Sequence, residues 1–286
     1  MISFKRLDYY KQLMRLDKPI GILLLLWPTL WALWLAAKGT PDSIILWVFI
    51  FGTVLMRSAG CVINDYADQD FDAHVERTKN RPLATRVVSS KEALLLATGL
   101  SFCAFLLILN LNSLTISLSI CALFLAASYP FTKRFFAIPQ AYLGIAFSFG
   151  IPMAFAAQTN AIPVIAWLLM AANLLWVIAY DTEYAIVDKT DDLKIGIKTS
   201  AITFGNFDVA GIMLCHIIFI GLMFCVGQLQ NLGVAYYLSL SIALGLIMYQ
   251  YYLIRDRKPA DCFKAFLHNN WVGAIIFIGI ALDYFI

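Results

Sequence analysis

Charge is what this chain has least of. Only 14% of its 286 residues are Asp, Glu, Lys or Arg, against about 25% in an ordinary soluble domain. Hydrophobic residues make up 61%, and mean hydropathy is +0.78. A soluble core of this size cannot hide such an excess, because a soluble surface needs polar cover. Soluble globular, disordered and fibrous architectures are excluded. Histidine is scarce as well: His74, His216 and His268 are too far apart to suggest a site. The six cysteines form no CxxC pair and mostly sit in apolar runs, which points to buried thiols rather than to zinc or a disulfide framework. The first eighteen residues lack a cleavable signal pattern and are short for a transit peptide. An integral membrane protein remains.

Runs long enough to cross a bilayer as helices fall at 20–37, 43–63, 93–111, 114–131, 138–157, 162–180, 209–226, 234–253 and 271–286. The runs are continuous rather than alternating, which excludes a membrane β-barrel. The expected fold is therefore all-α, nine transmembrane helices in one membrane-embedded domain over 1–286. Nineteen of the 21 Lys and Arg fall on one side of that topology; Lys38 lies opposite and Arg57 lies inside the second span. By the positive-inside rule the amino terminus and the even-numbered loops face the cytoplasm. The segment 1–19 mixes basic residues with Phe4, Leu7, Leu13, Met14 and Leu16, as an amphipathic helix lying on an anionic leaflet would. No nucleic-acid partner is indicated; the expected surroundings are membrane lipid.

The acids are clustered. Asp65, Asp68, Asp70, Asp72 and Glu76 occupy one twelve-residue window, and Asp181, Glu183, Asp188, Asp191 and Asp192 another, so ten of eighteen acids lie in two short stretches. Each follows a span directly, in loops expected at 64–91 and 181–207 on the cytoplasmic side. If the spans continue as helices, Asp65, Asp68 and Asp72 share a face while Asp70 points away; Asp181, Tyr184, Asp188 and Asp192 share another. Unpaired carboxylates near a bilayer core cost about 2.5–3.5 kcal/mol each on insertion scales. That cost calls for a metal or a water-filled cavity. All-oxygen ligands point to Mg²⁺, with Mn²⁺ or Ca²⁺ as alternatives. The interleaved Arg77, Lys79, Arg81, Lys189, Lys194 and Lys198 suit a phosphate ligand bridged by metal to the carboxylates. Two such sites facing one diphosphate would draw charge from a leaving group.

These residues resemble the UbiA superfamily of intramembrane prenyltransferases. Its first motif, NDxxDxxxD, is matched by Asn64, Asp65, Asp68 and Asp72, and its second, DxxxD, by Asp188 and Asp192. The stretches RLDKPIGILLLLWPTLWALW (15–34), ERTKNRPLATR (76–86), YPFTKRF (129–135) and YDTEYAIVDKTDDLKIGIKTS (180–200) are similar to the 4-hydroxybenzoate polyprenyltransferase branch. The resemblance implies nine helices around a central cavity with the aspartate motifs at its cytoplasmic mouth. It implies Mg²⁺-dependent transfer of a polyprenyl group from polyprenyl diphosphate to 4-hydroxybenzoate, ortho to the hydroxyl, in ubiquinone biosynthesis.

Carried onto this chain, Asp65, Asp68 and Asp72 would hold one Mg²⁺, and Asp188 and Asp192 a second. Asn64, Arg77, Lys79, Lys189 and Lys198 would bind the diphosphate. Asp188 or Asp191 would accept the phenolic proton, and Arg134 would take the benzoate carboxylate. A dry, aromatic-walled cavity would shield the allylic cation. Candidates for the prenyl channel are Trp27 and Trp31, on one face of the first span with Trp34, and Tyr142 and Phe149, on one face of the fifth; helix packing is the competing reading for each. Three alternatives stay open: another aromatic acceptor, a cation-coupled transporter, or a lipid phosphotransferase, whose DGxxAR pattern is absent.

Overall fold

A computed structural model describes residues 4–286, with the side chains of Phe4 and Lys5, both counted above, outside the described set. Among the described residues all regular structure is helical. A short helix α1 (Phe4–Leu13) precedes α2 (Ile20–Ala37), α3 (Ser43–Asp72), α4 (Ser90–Ile108) and α5 (Ser113–Thr132). Then come α6 (Pro139–Ser148), α7 (Gly150–Thr159), α8 (Val164–Ile195), the short α9 (Ser200–Phe204), α10 (Asp208–Gln230), α11 (Val234–Ile254) and α12 (Pro259–Phe285). Nine helical segments among them are long and apolar enough to cross a membrane, α6–α7 and α9–α10 each counting once. The chain is a multi-pass membrane protein.

Three boundaries differ from expectation, each for a physical reason. The acidic windows are not loops. Helix α3 runs through Asp72 and α8 through Ile195, so residues 64–72 and 181–195 extend two spans past the apolar run. Nothing in either stretch breaks a helix until Gly196, whose φ of +79° ends α8 in the left-handed region. The fifth span is bent at Phe149, where α6 gives way to α7. Pro152 has no N–H to donate to the Ser148 carbonyl, and its ring crowds that carbonyl. The last span begins at Pro259, earlier than hydropathy indicated, because its first turns carry Asp261 and Lys264 at the polar end.

The amino-terminal segment packs on protein. Leu13 is fully buried with Val62, Leu83, Val88, Ala93 and Ala97, although Leu7 and Leu16 stay exposed. Arg6 makes a bidentate pair with Glu92 at 2.6 and 2.7 Å, and Tyr10 donates to the same carboxylate. Glu92 also closes a capping box with Ser89 at the start of α4.

Helix α8 is the most buried span and touches α2, α6, α7, α9, α10 and α12. Its Trp176 stacks on Phe219 of α10 and packs against Trp31 of α2. Trp31 Nε1 donates to the Gly273 carbonyl at 3.0 Å. Gly273 is required there: a Cβ would lie 2.6 Å from Trp27 Cδ1 and 2.8 Å from Trp176 Cη2. Gly273→Ala is expected to destabilise the bundle by about 1–3 kcal/mol through overpacking. Thermal unfolding in detergent checks this; a midpoint equal to that of the parent chain would contradict the packing account.

Candidate active site

The helix extensions frame a cavity of about 1120 Å³. Seven Lys and Arg side chains and seven Asp line it, all but Arg57 and Asp181 near the ends of α3 and α8 or in the adjoining connections; the rest of its wall is mainly apolar. Asn64, Asp65, Asp68 and Asp72 come from α3, and Asp181, Tyr184, Asp188 and Asp192 from α8. The helical spacing turns both sets inward, while Asp70 is exposed.

Four of the five motif aspartates are met by a cation. Asp65 accepts two bonds from Arg15 Nη2, at 2.8 and 2.9 Å, and lies 3.1 Å from Arg81. Arg81 also donates to Asp72 at 2.7 Å. Asp68 accepts from Lys133 Nζ at 2.7 Å and from Asn64 at 3.3 Å, and Lys133 also reaches the Asn64 carbonyl oxygen at 3.1 Å. Arg77 clamps Asp188 and lies over the Tyr184 ring, 4.6 Å from its centroid. Asp192 has no such partner among the described residues. Burial alone would lower the Lys133 pKa, but the Asp68 carboxylate and Tyr129 outweigh it and the net shift is upward. Arg81 and Arg77 are shifted the same way: the carboxylates of Asp65, Asp72 and Asp188 outweigh desolvation. All three cations stay charged at any physiological pH.

The donors fit a hard divalent cation in a particular way. Among the described residues no group of three or more His, Cys, Asp or Glu converges into a cage. Asp65, Asp68 and Asp72 are spread along a helix face and do not by themselves surround one ion. Mg²⁺ usually takes one or two carboxylates and completes its shell with water and substrate phosphate, so an all-oxygen, incomplete set suits it.

Several expected residues are placed elsewhere. Lys189 points out of the cavity to Asp208 at 2.8 Å and the Gly205 carbonyl at 2.9 Å. Lys79 is exposed and pairs with Glu76. Asp191 pairs with Lys194 and does not line the cavity. Arg134 donates to the Ala67 carbonyl and lies near the Phe71 and Phe131 rings, also off the cavity. Trp31 is core, Trp27 bonds Asn270 at 2.9 Å, and the Tyr142 hydroxyl meets Ser128, so none of the three walls the cavity. Phe149 does, and so does Phe147; Lys198 lines it while donating to the Phe135 carbonyl.

The sequence placed Asp181 on the inward face of the second acidic window and Arg57 inside the second span, but gave neither a role, and it undervalued Arg15 and Lys133. Arg57 enters the cavity wall with its Nε buried and without a hydrogen-bond partner. Its Nη1 meets Cys61 Sγ at 2.8 Å, and its guanidinium lies 5.5 Å from the Phe147 centroid. A Cβ at Gly21 would fall 2.5 Å from that guanidinium, so the glycine makes room for it. The signal was present: Arg57, Cys61, Asn64 and Asp68 are spaced to share one face of α3.

Arg81→Leu leaves Asp72 without its cation and is expected to cost about 3–5 kcal/mol, as breaking a buried pair does. Lys79→Ala, at an exposed pair, is expected to stay within about 0.5 kcal/mol. Thermal unfolding of both variants without metal checks the contrast; equal effects would contradict it.

Comparison with known proteins gives the family and the fold. The model of the UbiA prenyltransferase family matches residues 25–273. A 4-hydroxybenzoate octaprenyltransferase of Nitrosospira multiformis is 73% identical over 100% of this chain and 99% of its own length. The apo structure of a UbiA homolog from Aeropyrum pernix K1 is 26% identical with a TM-score of 0.80, covering 91% of this chain and 97% of that one. A UbiA homolog from Archaeoglobus fulgidus bound to GPP and Mg²⁺ shares the fold at 17% identity, with a TM-score of 0.72 over 94% of this chain and 99% of its own.

Proposed function

This chain belongs to the UbiA prenyltransferase family, and from that membership and the two-ended cavity we propose that it transfers a polyprenyl group from polyprenyl diphosphate to the ring of 4-hydroxybenzoate, ortho to the hydroxyl, releasing diphosphate. The carrying observation is the cavity itself: both aspartate motifs face it at one end with cations interleaved, and the remainder is mainly apolar. The name of the Nitrosospira multiformis relative supports an octaprenyl donor, 4-hydroxybenzoate as acceptor, and a place in ubiquinone biosynthesis. The Lys and Arg asymmetry supports a bacterial inner-membrane location with the motif end and amino terminus in the cytoplasm.

Arg77, Arg81, Lys133 and Lys198 are the side chains we assign to the diphosphate oxygens, with Asn64 beside them. The carboxylates of Asp68, Asp72, Asp188 and Asp192, with Asp65, form the face toward Mg²⁺; the homolog bound to GPP and Mg²⁺ supports that choice. When bound, the cation neutralises the diphosphate and makes it a better leaving group. The allylic C–O bond breaks with its electron pair leaving on the diphosphate. The apolar wall, including Phe147 and Phe149, keeps water from the carbocation. The phenol ring attacks, a C–C bond forms, and a carboxylate takes up the ring proton. Arg57 replaces Arg134 as the group for the benzoate carboxylate, because its guanidinium is buried in the cavity wall with donor capacity unused. Asp181 lies two turns deeper than Asp188 on the same face, and we assign the proton to it.

Asp68→Ala and Asp188→Ala are each expected to abolish Mg²⁺-dependent transfer in a membrane assay with labelled 4-hydroxybenzoate, while the protein still inserts; full activity in both would overturn the two-motif site. Arg57→Leu is expected to raise KM for 4-hydroxybenzoate by about tenfold to a hundredfold, the value of a charge-assisted bond. KM for the prenyl donor should hold. Arg134→Leu is the comparison; a larger acceptor defect there would return the carboxylate to Arg134.

A further inference from the structure

The residue that follows the first acid of the second motif is held by a group outside the cavity. Asp208, the first residue of α10, has a fully buried side chain. Its Oδ2 accepts from Lys189 Nζ at 2.8 Å and its Oδ1 from Arg257 Nε at 2.7 Å. The surroundings reinforce both cations: Lys189 also donates to the Gly205 carbonyl at 2.9 Å, and Arg257 Nη2 to the Asn206 carbonyl at 2.7 Å. One carboxylate thus ties the end of α8, the turn before α10 and the connection from α11 to α12.

The position of Lys189 gives this tie a consequence. Lys189 lies three residues before Asp192 on α8, a spacing at which oppositely charged side chains on a helix reach each other. Asp192 is the one motif aspartate without a cation partner among the described residues, and it lines the cavity. Its neighbours are otherwise committed: Asp188 to Arg77 and Asp191 to Lys194. A released Lys189 would have Asp192 as the one unpaired acid within a turn of it on α8. We infer that Asp208 is a positioning residue: by holding Lys189 outside the cavity it keeps the Asp192 carboxylate open to a divalent cation. The inference rests on the metal reading proposed above. It gives Lys189 the opposite role from a phosphate ligand, because its value lies in being kept away.

Metal binding tests this without turnover. Mn²⁺ is titrated by electron paramagnetic resonance into the purified full-length protein with inorganic pyrophosphate present. Asp208→Asn is expected to weaken Mn²⁺ binding about tenfold. Adding Lys189→Met to Asp208→Asn is expected to restore it to within about twofold, since the competing ammonium is gone. Asp256→Asn, an exposed acid beside Arg257, is the control and should bind normally. A merely structural ion pair would lower the unfolding midpoint and leave Mn²⁺ affinity alone. Unchanged binding in Asp208→Asn, or no restoration in the double variant, overturns the inference. If Asp208→Asn does not fold, Lys189→Met alone decides. Asp208 keeps Arg257 there, and binding should be unchanged, whereas a tenfold loss overturns the proposal. Absence of Mn²⁺ binding in the parent chain overturns the metal reading and this inference with it.

Discussion

A carboxylate at the edge of a hydrocarbon layer has to be answered by a positive charge, and most of the polar architecture of this protein follows from that. Asp65, Asp68, Asp72 and Asp188 are each answered by Arg or Lys at hydrogen-bond distance. The partners come from widely separated parts of the chain: Arg15 before the first span, Arg77 and Arg81 between spans, Lys133 after the fourth. The pairing therefore folds the polar end as well as neutralising it. It also explains why the amino-terminal segment docks on protein. Arg15 reaches Asp65 only if α1 and the turn after it are held close, and Leu13, Arg6 and Tyr10 do that.

The same pairing makes the site reversible in charge. On the proposed reading, the cations that satisfy the aspartates are the ones a diphosphate would recruit. A metal ion would then replace them on the carboxylates, and the ammonium and guanidinium groups would turn to phosphate oxygens. Net charge stays near balance in both arrangements, with seven acids and seven bases around the cavity. A site built from unpaired aspartates would carry the full desolvation penalty. Extending α3 and α8 as rigid helices, rather than as loops, fixes the carboxylates on two facing rods and limits how far each partner can move.

Much of this was legible in the sequence because it depends on order along a helix. Nine spans, the inward face of Asp65, Asp68 and Asp72, and the inward face of Asp181, Tyr184, Asp188 and Asp192 all follow from hydropathy and a period of 3.6. What failed depended on contacts between distant segments. Lys189 looks like any basic neighbour of acids, yet it is claimed by Asp208, nineteen residues on; Lys79 failed for a local reason, its pair with Glu76 one turn away. Lys133 and Arg134 are adjacent, and only the helical phase of α5, continuing past Tyr129, turns the first inward. The tryptophans of the first span were ambiguous for the same reason, because Trp31 is defined by Gly273 and Trp176 rather than by its own helix.

Arg57 shows what the polar end cannot explain. It lies seven residues before Asn64 inside an apolar span, where a charge is costly, and no carboxylate is bonded to it. A purely structural role would have produced a tight partner, as it did for Arg81. Instead, among the described residues, it has a sulfur contact, a phenylalanine face and a buried Nε without a partner, with Gly21 leaving the space it fills. On the proposed reading the cavity would take two anions: a diphosphate among the aspartates and their cations, and a single carboxylate deeper in. A small acidic aromatic held between them would present its ring to the apolar wall, where the prenyl cation must form and water is least welcome.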